Sequence, residues 1–248
     1  MNAPEGMCIV ELVNDHLAVK ARLVEPNDRG YLLFAAETGT WRGPFPTSVP
    51  PLDELKAIAT QLAARPEVED ATVFRARLRP PGEGEEILTA RGIAPARYDV
   101  VLLVRTTDVG SALALRDDPL YTKATTLLPA RRTHQIAGRN AARLGDVDHG
   151  PDHAFLFNYF YADDRETLLK IWEYTAGWFQ AKTALPNSTL LQPLDGESTD
   201  YGIINHASWP ALPTFLPSLI LRPTFRSFVL ANFQANGIAA QPIIYRRI

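Results

Sequence analysis

The chain has 248 residues, with 25 basic against 28 acidic side chains, a formal charge of −3 and 46% hydrophobic residues. That is enough apolar chain to bury a sizeable core without disulfides or metals, and the intermixed charges provide no basic field for nucleic acid. One cysteine, Cys8, excludes an intrachain disulfide and reads as an apolar filler, Met1 to Val13 lacks the basic and apolar regions of a signal peptide, and no apolar run approaches membrane-spanning length, so a cytoplasmic protein without membrane contact is expected.

In chain order, Tyr31 to Glu37 is a short apolar run between Gly30 and Gly39, which predicts a strand. Prolines and Gly43 forbid regular structure through Trp41 to Pro51. Leu52, Leu55, Ile58, Ala59 and Leu62 then recur at helical spacing up to Pro66, with Asp53 and Glu54 in the first turn, where carboxylates favour the positive end of the helix dipole. Ala71 to Leu78 alternates as a half-buried strand does, and Pro80 to Pro95, with its three glycines, reads as a loop or insertion. Tyr98 to Arg105 predicts a buried strand, Ser111 to Leu128 a helix broken near Pro119, and Thr133 to Arg143 an extended segment.

The order β, α, β, β, α, β then recurs. His153 to Tyr161 predicts a strand, and Asp163 or Asp164 caps a helix with the stripe Leu168, Trp172, Ala176 and Phe179, ended by Pro186. Thr189 to Leu194 and Tyr201 to Trp209 supply two strands. A helix interrupted at Pro213, Pro217 and Pro223 runs to about Asn236 and stops at Gly237, and Ile238 to Ile248 closes the unit as a strand. Landmarks pair at offsets of 120 (Pro66 and Pro186), 103 (Tyr98 and Tyr201) and 104 (Pro119 and Pro223), and the change of register falls on Pro80 to Pro95. The division expected is an N-terminal extension over 1–29, a degenerate first repeat over 30–146 with its insertion near 80–95, and a second repeat over 147–248.

The segments FLFNYFYADDRETLLKIWEYTAGWF, ALPNSTLLQPL, YGIINHASW, RPTFRSFVLANF and PIIYRRI resemble, in that order, the antibiotic-biosynthesis-monooxygenase-like group of the dimeric α+β barrel superfamily. The resemblance covers about Phe155 to Ile248, with a weaker copy from Tyr31 to Arg143. It implies an α+β fold of two tandem ferredoxin-like βαββαβ units packed sheet to sheet as a pseudo-dimeric barrel, and leaves further homodimerisation open. Members that oxidise polycyclic phenols without metal or flavin are similar in an Asn-x-x-x-Trp pair, here Asn205 to Trp209. The resemblance thus implies Asn205 as the hydrogen-bonding partner of a substrate carbonyl or of O2, and Trp209 as a stacking surface. The group's tyrosine position falls on Phe215.

The same resemblance raises haem, because haem-degrading relatives pair a strand asparagine and a tryptophan with an axial histidine. Asn158 and Trp209 match the first two, but Leu219 occupies the ligand region and no histidine follows His206. The cofactor expectation is therefore none, with haem on an unusual ligand such as His206 or His153 as the exception. No metal site is expected.

Other residues have two readings. His149 and His153 bracket Gly150-Pro151-Asp152, a spacing that would serve a metal on a helix, but Gly and Pro forbid the helix and a solvated linker is the alternative. His134 reads as a surface or interface histidine. Strand alternation puts Asn205, Ala207 and Trp209 on one face and His206 and Ser208 on the other, so these cannot all line one pocket. His206 is a candidate general base, and Asn158, Tyr159, Trp178 and Phe215 are candidates to contact substrate, against the reading of core aromatics and a buried amide. No HExxH, CxxC or GxSxG is present. The leading expectation is a cofactor-independent monooxygenase for an aromatic or polyketide-like small molecule. The alternatives are a non-catalytic binding or interaction protein and an atypical haem binder.

Overall fold

The computed structural model describes residues 10–248, so the readings of Cys8 and of Met1 to Ile9 lie outside the described residues. Eight long strands form one closed antiparallel barrel: β1 (Gly30–Glu37), β4 (Val68–Leu78), β5 (Val100–Thr106), β6 (Arg132–Gly145), β7 (Ala154–Tyr161), β8 (Asn187–Pro193), β9 (Ile203–Trp209) and β10 (Ala239–Arg247). Around the barrel the order is β1-β5-β4-β10-β7-β9-β8-β6. Within each half the strands run fourth, first, third, second, and the halves join where β10 pairs with β4 and β6 with β8. Closure leaves neither half with an exposed sheet edge. A small separate hairpin, β2 (Trp41–Arg42) and β3 (Phe45–Pro46), corrects the reading that Trp41 to Pro51 holds no regular structure: Gly43, at φ 58°, makes its turn.

Each sheet must cover two faces, and three apolar layers do so. Inside the barrel, alternate residues from both halves meet, among them Leu33, Phe74, Val101, Phe157, Ile204 and Tyr245. On the outer face of the first half, β-strand residues such as Phe34 and Leu102 pack on α1 (Asp53–Ala63), α3 (Val109–Arg116) and α4 (Pro119–Thr126). These helices form where the sequence allows: Leu55, Ile58, Ala59 and Leu62 make the inner stripe of α1, and Asp108 and Asp118 cap α3 and α4. On the outer face of the second half, α5 (Arg165–Thr183), α6 (Leu212–Leu221), a π-helical turn (Phe225–Leu230) and α7 (Ala231–Ala235) cover the sheet. Asp164 caps α5 by accepting from the Glu166 and Thr167 amides, and Gly237, at φ 63°, ends the last helical run.

Two segments are more ordered than their composition suggests. The insertion near 80–95 contains α2 (Glu85–Ala90), whose Leu88 is buried at one end of the barrel interior, while Glu83 pairs with Ala240 of β10. Tight glycines explain this docking: a Cβ on Gly82 or Gly84 would meet β10 within 3 Å. The segment before β1 lies across the helices of the second half. There Asn232 binds the Val13 amide and carbonyl at 2.9 and 3.0 Å, Asn236 binds those of Glu11 at 3.1 and 2.8 Å, and the Ala21 amide donates to the Glu173 carbonyl at 2.9 Å.

Candidate active site

The alternation of β9 sorts the candidate residues onto two sides of one sheet. Ile203, Ala207 and Trp209 belong to the layer between sheet and helices, and Asn205 shares their face. Asn158 of β7 is the direct cross-strand partner of Asn205, between Leu156 and Phe160 of that same layer. Two carboxamides therefore stand side by side on the helix side. The Asn205 Oδ1 accepts from the Ser188 hydroxyl at 2.5 Å, whereas the Asn158 Oδ1 is buried and has no partner. Such an orphan is uncommon, because a buried polar atom without a partner costs about 1–3 kcal/mol.

The same helix-side layer holds a cluster of rings. Trp209 stacks on Phe215 of α6 with centroids 4.2 Å apart and planes at 23°, and its indole N–H donates to the Thr183 hydroxyl at 3.3 Å. Trp178 of α5 is buried in the same layer, donates to the Thr224 hydroxyl at 3.1 Å and meets Phe179 edge to face. Trp209 and Phe215 are each 1% exposed, so this part of the layer is closed to solvent.

His206 and Tyr159 face the other way, into the barrel. His206 stacks on Phe157 at 4.1 Å. Its Nδ1 lies 3.2 Å from the Leu156 carbonyl and its Nε2 lies 2.9 Å from Nε2 of His149. The Nδ1 of His149 in turn meets the Asp70 carboxylate at 2.6 Å. Burial, together with the His149 charge, drives the His206 pKa well below the ordinary histidine value. For Asp70 burial alone would raise the pKa, but the His149 hydrogen bond and charge, Arg105 and the Thr72 hydroxyl outweigh it and hold the carboxyl low. Beside the two imidazoles a cavity of about 10 Å³ is lined by Tyr31, Arg105 and Thr189 among others, about the size of one water. Tyr159 lies further along the barrel, its hydroxyl 3.4 Å from that of Tyr245, and burial raises both phenols well above their ordinary pKa.

Two histidine readings need correction. His149 is not in a solvated linker: the linker folds back over the barrel mouth and buries the ring against Phe74 and Phe155. His134 is not on the surface either. It is buried beside Tyr98, Tyr159 and Tyr201, and burial, with help from Arg132, lowers its pKa to about 4. Neither placement has a local sequence signal, since Asp70 and His206 lie 79 and 57 residues from His149. His153, by contrast, is partly exposed and turns its Nδ1 to the Asp148 carbonyl within the linker.

No family model matches the sequence, and no curated protein matches it. Solved structures do. The chain superposes on an anthrone oxidase-like protein with a TM-score of 0.58 at 10% identity, covering 93% of this chain and 94% of that one. Candidate monooxygenases from Fusobacterium nucleatum and Lactobacillus acidophilus NCFM give TM-scores of 0.52 and 0.51 at 8% and 7% identity. The coverage is 89% of this chain and 93% of the Fusobacterium protein, and 90% and 99% for the Lactobacillus protein. The likeness is one of fold, a closed eight-stranded antiparallel barrel with helices packed on its outside.

In the second half, His206 and Trp209 stand in different surroundings. Both ring nitrogens of His206 are engaged inside the barrel next to a cavity of about 10 Å³, and on the helix side Trp209 and Phe215 occupy the space near Leu219. The barrel also brings together no group of three or more His, Cys, Asp or Glu side chains able to hold a metal among the described residues. Nor is any helix among them long and apolar enough to cross a membrane.

Proposed function

We propose that the second half binds a small planar aromatic molecule on the helix side of its sheet and, when that molecule is an oxidisable phenol, oxidises it with O2 without a bound cofactor. The observation that carries this is the unpaired, buried Oδ1 of Asn158 beside Asn205, a place where a phenolic hydroxyl finds the acceptor that the protein leaves unsatisfied. A flat ring fits by replacing Phe215 against Trp209. The reaction balances without a reductant: a phenol and one O2 give a quinone and one water, all four electrons coming from the substrate. The asparagines orient the ring and polarise oxygen.

We further read residues 30–146 and 147–248 as ferredoxin-like repeats, which the shared fourth-first-third-second strand order supports. Entry falls to α6, where Pro217 removes a backbone donor inside the helix and Ile220 and Leu221 are exposed. The second reading, a non-catalytic binder, is favoured by one observation: His206 lies on the opposite face of the sheet, so it does not serve the amide pair as a base.

The test is titration with a hydroxynaphthalene, followed by tryptophan fluorescence and by an oxygen electrode. Saturable quenching with O2 uptake supports oxidation, with Asn158→Ala, Asn205→Ala and Trp209→Phe each losing turnover at unaltered circular dichroism. Quenching without O2 uptake supports the binder, and no quenching at all overturns both.

A further inference from the structure

We propose that the barrel interior is a proton-binding site: Asp70, His149 and His206 together hold one proton more than a carboxylate and two neutral imidazoles carry. The case is a count of hydrogens along a chain of contacts. Asp70 Oδ2 meets His149 Nδ1 at 2.6 Å, His149 Nε2 meets His206 Nε2 at 2.9 Å, and His206 Nδ1 meets the Leu156 carbonyl at 3.2 Å. Three hydrogen bonds in series need three hydrogens, and the last acceptor is a carbonyl that has none to give. An ionised Asp70 and two neutral rings supply two. Without a third, one of the three contacts loses its hydrogen and sets two lone pairs against each other, either between the Nε2 atoms at 2.9 Å or between His206 Nδ1 and the Leu156 carbonyl at 3.2 Å.

The third proton can sit on His149, making an imidazolium between carboxylate and imidazole, or on Asp70; the count is the same. The surroundings favour the first. Burial keeps His206 neutral, while the low pKa of Asp70 keeps it a carboxylate able to balance an imidazolium. The other charged or titratable groups that face the set come from every neighbouring element. From β5 Arg105 reaches Glu69 at 3.2 Å, from β10 Arg247 donates to the His149 carbonyl at 2.7 Å, and from β1 Tyr31 lines the cavity. Arg105 stands against a second extra proton, so the capacity is one. Asp70 is the outermost member, its side chain 24% exposed against 9% for His149, and His206 is the innermost at 2%. The set thus runs from the barrel mouth inward to the small cavity, a route by which a proton reaches the barrel interior. It is independent of the aromatic site, which lies across the sheet.

The experiment is histidine nitrogen NMR on the folded protein between pH 5 and 9, with urea unfolding over the same range. At pH 7, His149 is expected with both nitrogens protonated and His206 as the neutral Nδ1–H tautomer, in one coupled titration. Because the folded state binds the extra proton more tightly than the unfolded chain, the stabilisation is present below the ordinary histidine pKa and is lost as pH rises through that of the set. Across that rise the unfolding constant climbs by up to tenfold per pH unit. In Asp70→Asn the coupled titration moves to lower pH, and in His149→Gln it disappears. Both rings neutral at pH 7 beside an ionised Asp70 would overturn the proposal, as would stoichiometric zinc taken up between the two Nε2 atoms in place of the proton. The NMR is done on the unaltered chain, so a variant that fails to fold does not blunt it.

Discussion

Gly177→Ala separates two physical arguments by sign. Gly177 lies in the interior of α5, where replacing glycine with alanine ordinarily stabilises a helix by about 1 kcal/mol. Here the new Cβ would fall 1.8 Å from the Val19 carbonyl oxygen and 2.8 Å from Lys20 carbonyl carbon, both backbone atoms that cannot rotate away. The segment crossing α5 must lift. Lifting it releases the hydrogen bonds from the Ala21 amide to the Glu173 carbonyl (2.9 Å) and from the Arg22 amide to Gln180 Oε1 (2.9 Å), and exposes the buried Ala21 methyl. Two such bonds at about 1 kcal/mol each, with a methyl at about 0.8 kcal/mol, outweigh the helix gain and leave a net loss of about 2 kcal/mol. Urea unfolding gives the magnitude, and faster amide exchange confined to the residues around Ala21 shows its origin. A variant more stable than the parent, with unaltered exchange there, would refute the close approach of this segment to α5.

Two further expectations concern buried titratable groups. His134 stays neutral in the folded protein down to about pH 4 while the unfolded chain protonates near 6.5, so stability drains as pH falls across that window, by up to about 3 kcal/mol. His134→Gln flattens that limb in acid unfolding monitored by circular dichroism. Asp99 is fully buried and accepts from the Thr38 amide (2.7 Å), the Gly39 amide (2.6 Å) and the Thr38 hydroxyl. Burial raises its pKa despite those donors. Asp99→Asn points an amide N–H at one of them, and a loss of about 2–3 kcal/mol is expected in the urea midpoint.

Local signals in the sequence reach as far as one element or one strand face. The spacing of Leu55, Ile58 and Leu62 is enough for α1, Asp164 and the apolar stripe for α5, and the prolines at 213, 217 and 223 for a helical run that breaks into α6, a π turn and α7. Alternation on β9 correctly separates Asn205 and Trp209 from His206, because side-chain direction along a strand has period two whatever surrounds it. The core stripe read from Leu168, Trp172 and Ala176 holds because a helix brings positions three to four apart onto one face. What failed were judgements of solvent contact. His134 and His149 sit in segments with no apolar pattern, so nothing local announces their burial, and the docking of 80–95 onto β10 and of the first described residues onto α5 and α7 depends on partners more than a hundred residues away.

The sequence by itself determined the order of the barrel strands and of the larger helices, and which residues of β9 share a face, since these follow from backbone periodicity and turn chemistry. Only the tertiary structure decided that the barrel closes through β4–β10 and β6–β8, that Trp209 stacks on Phe215 of α6, and that an aspartate and two histidines meet at its mouth. Those outcomes depend on distances between residues far apart in the chain, fixed by closing eight strands around a shared interior.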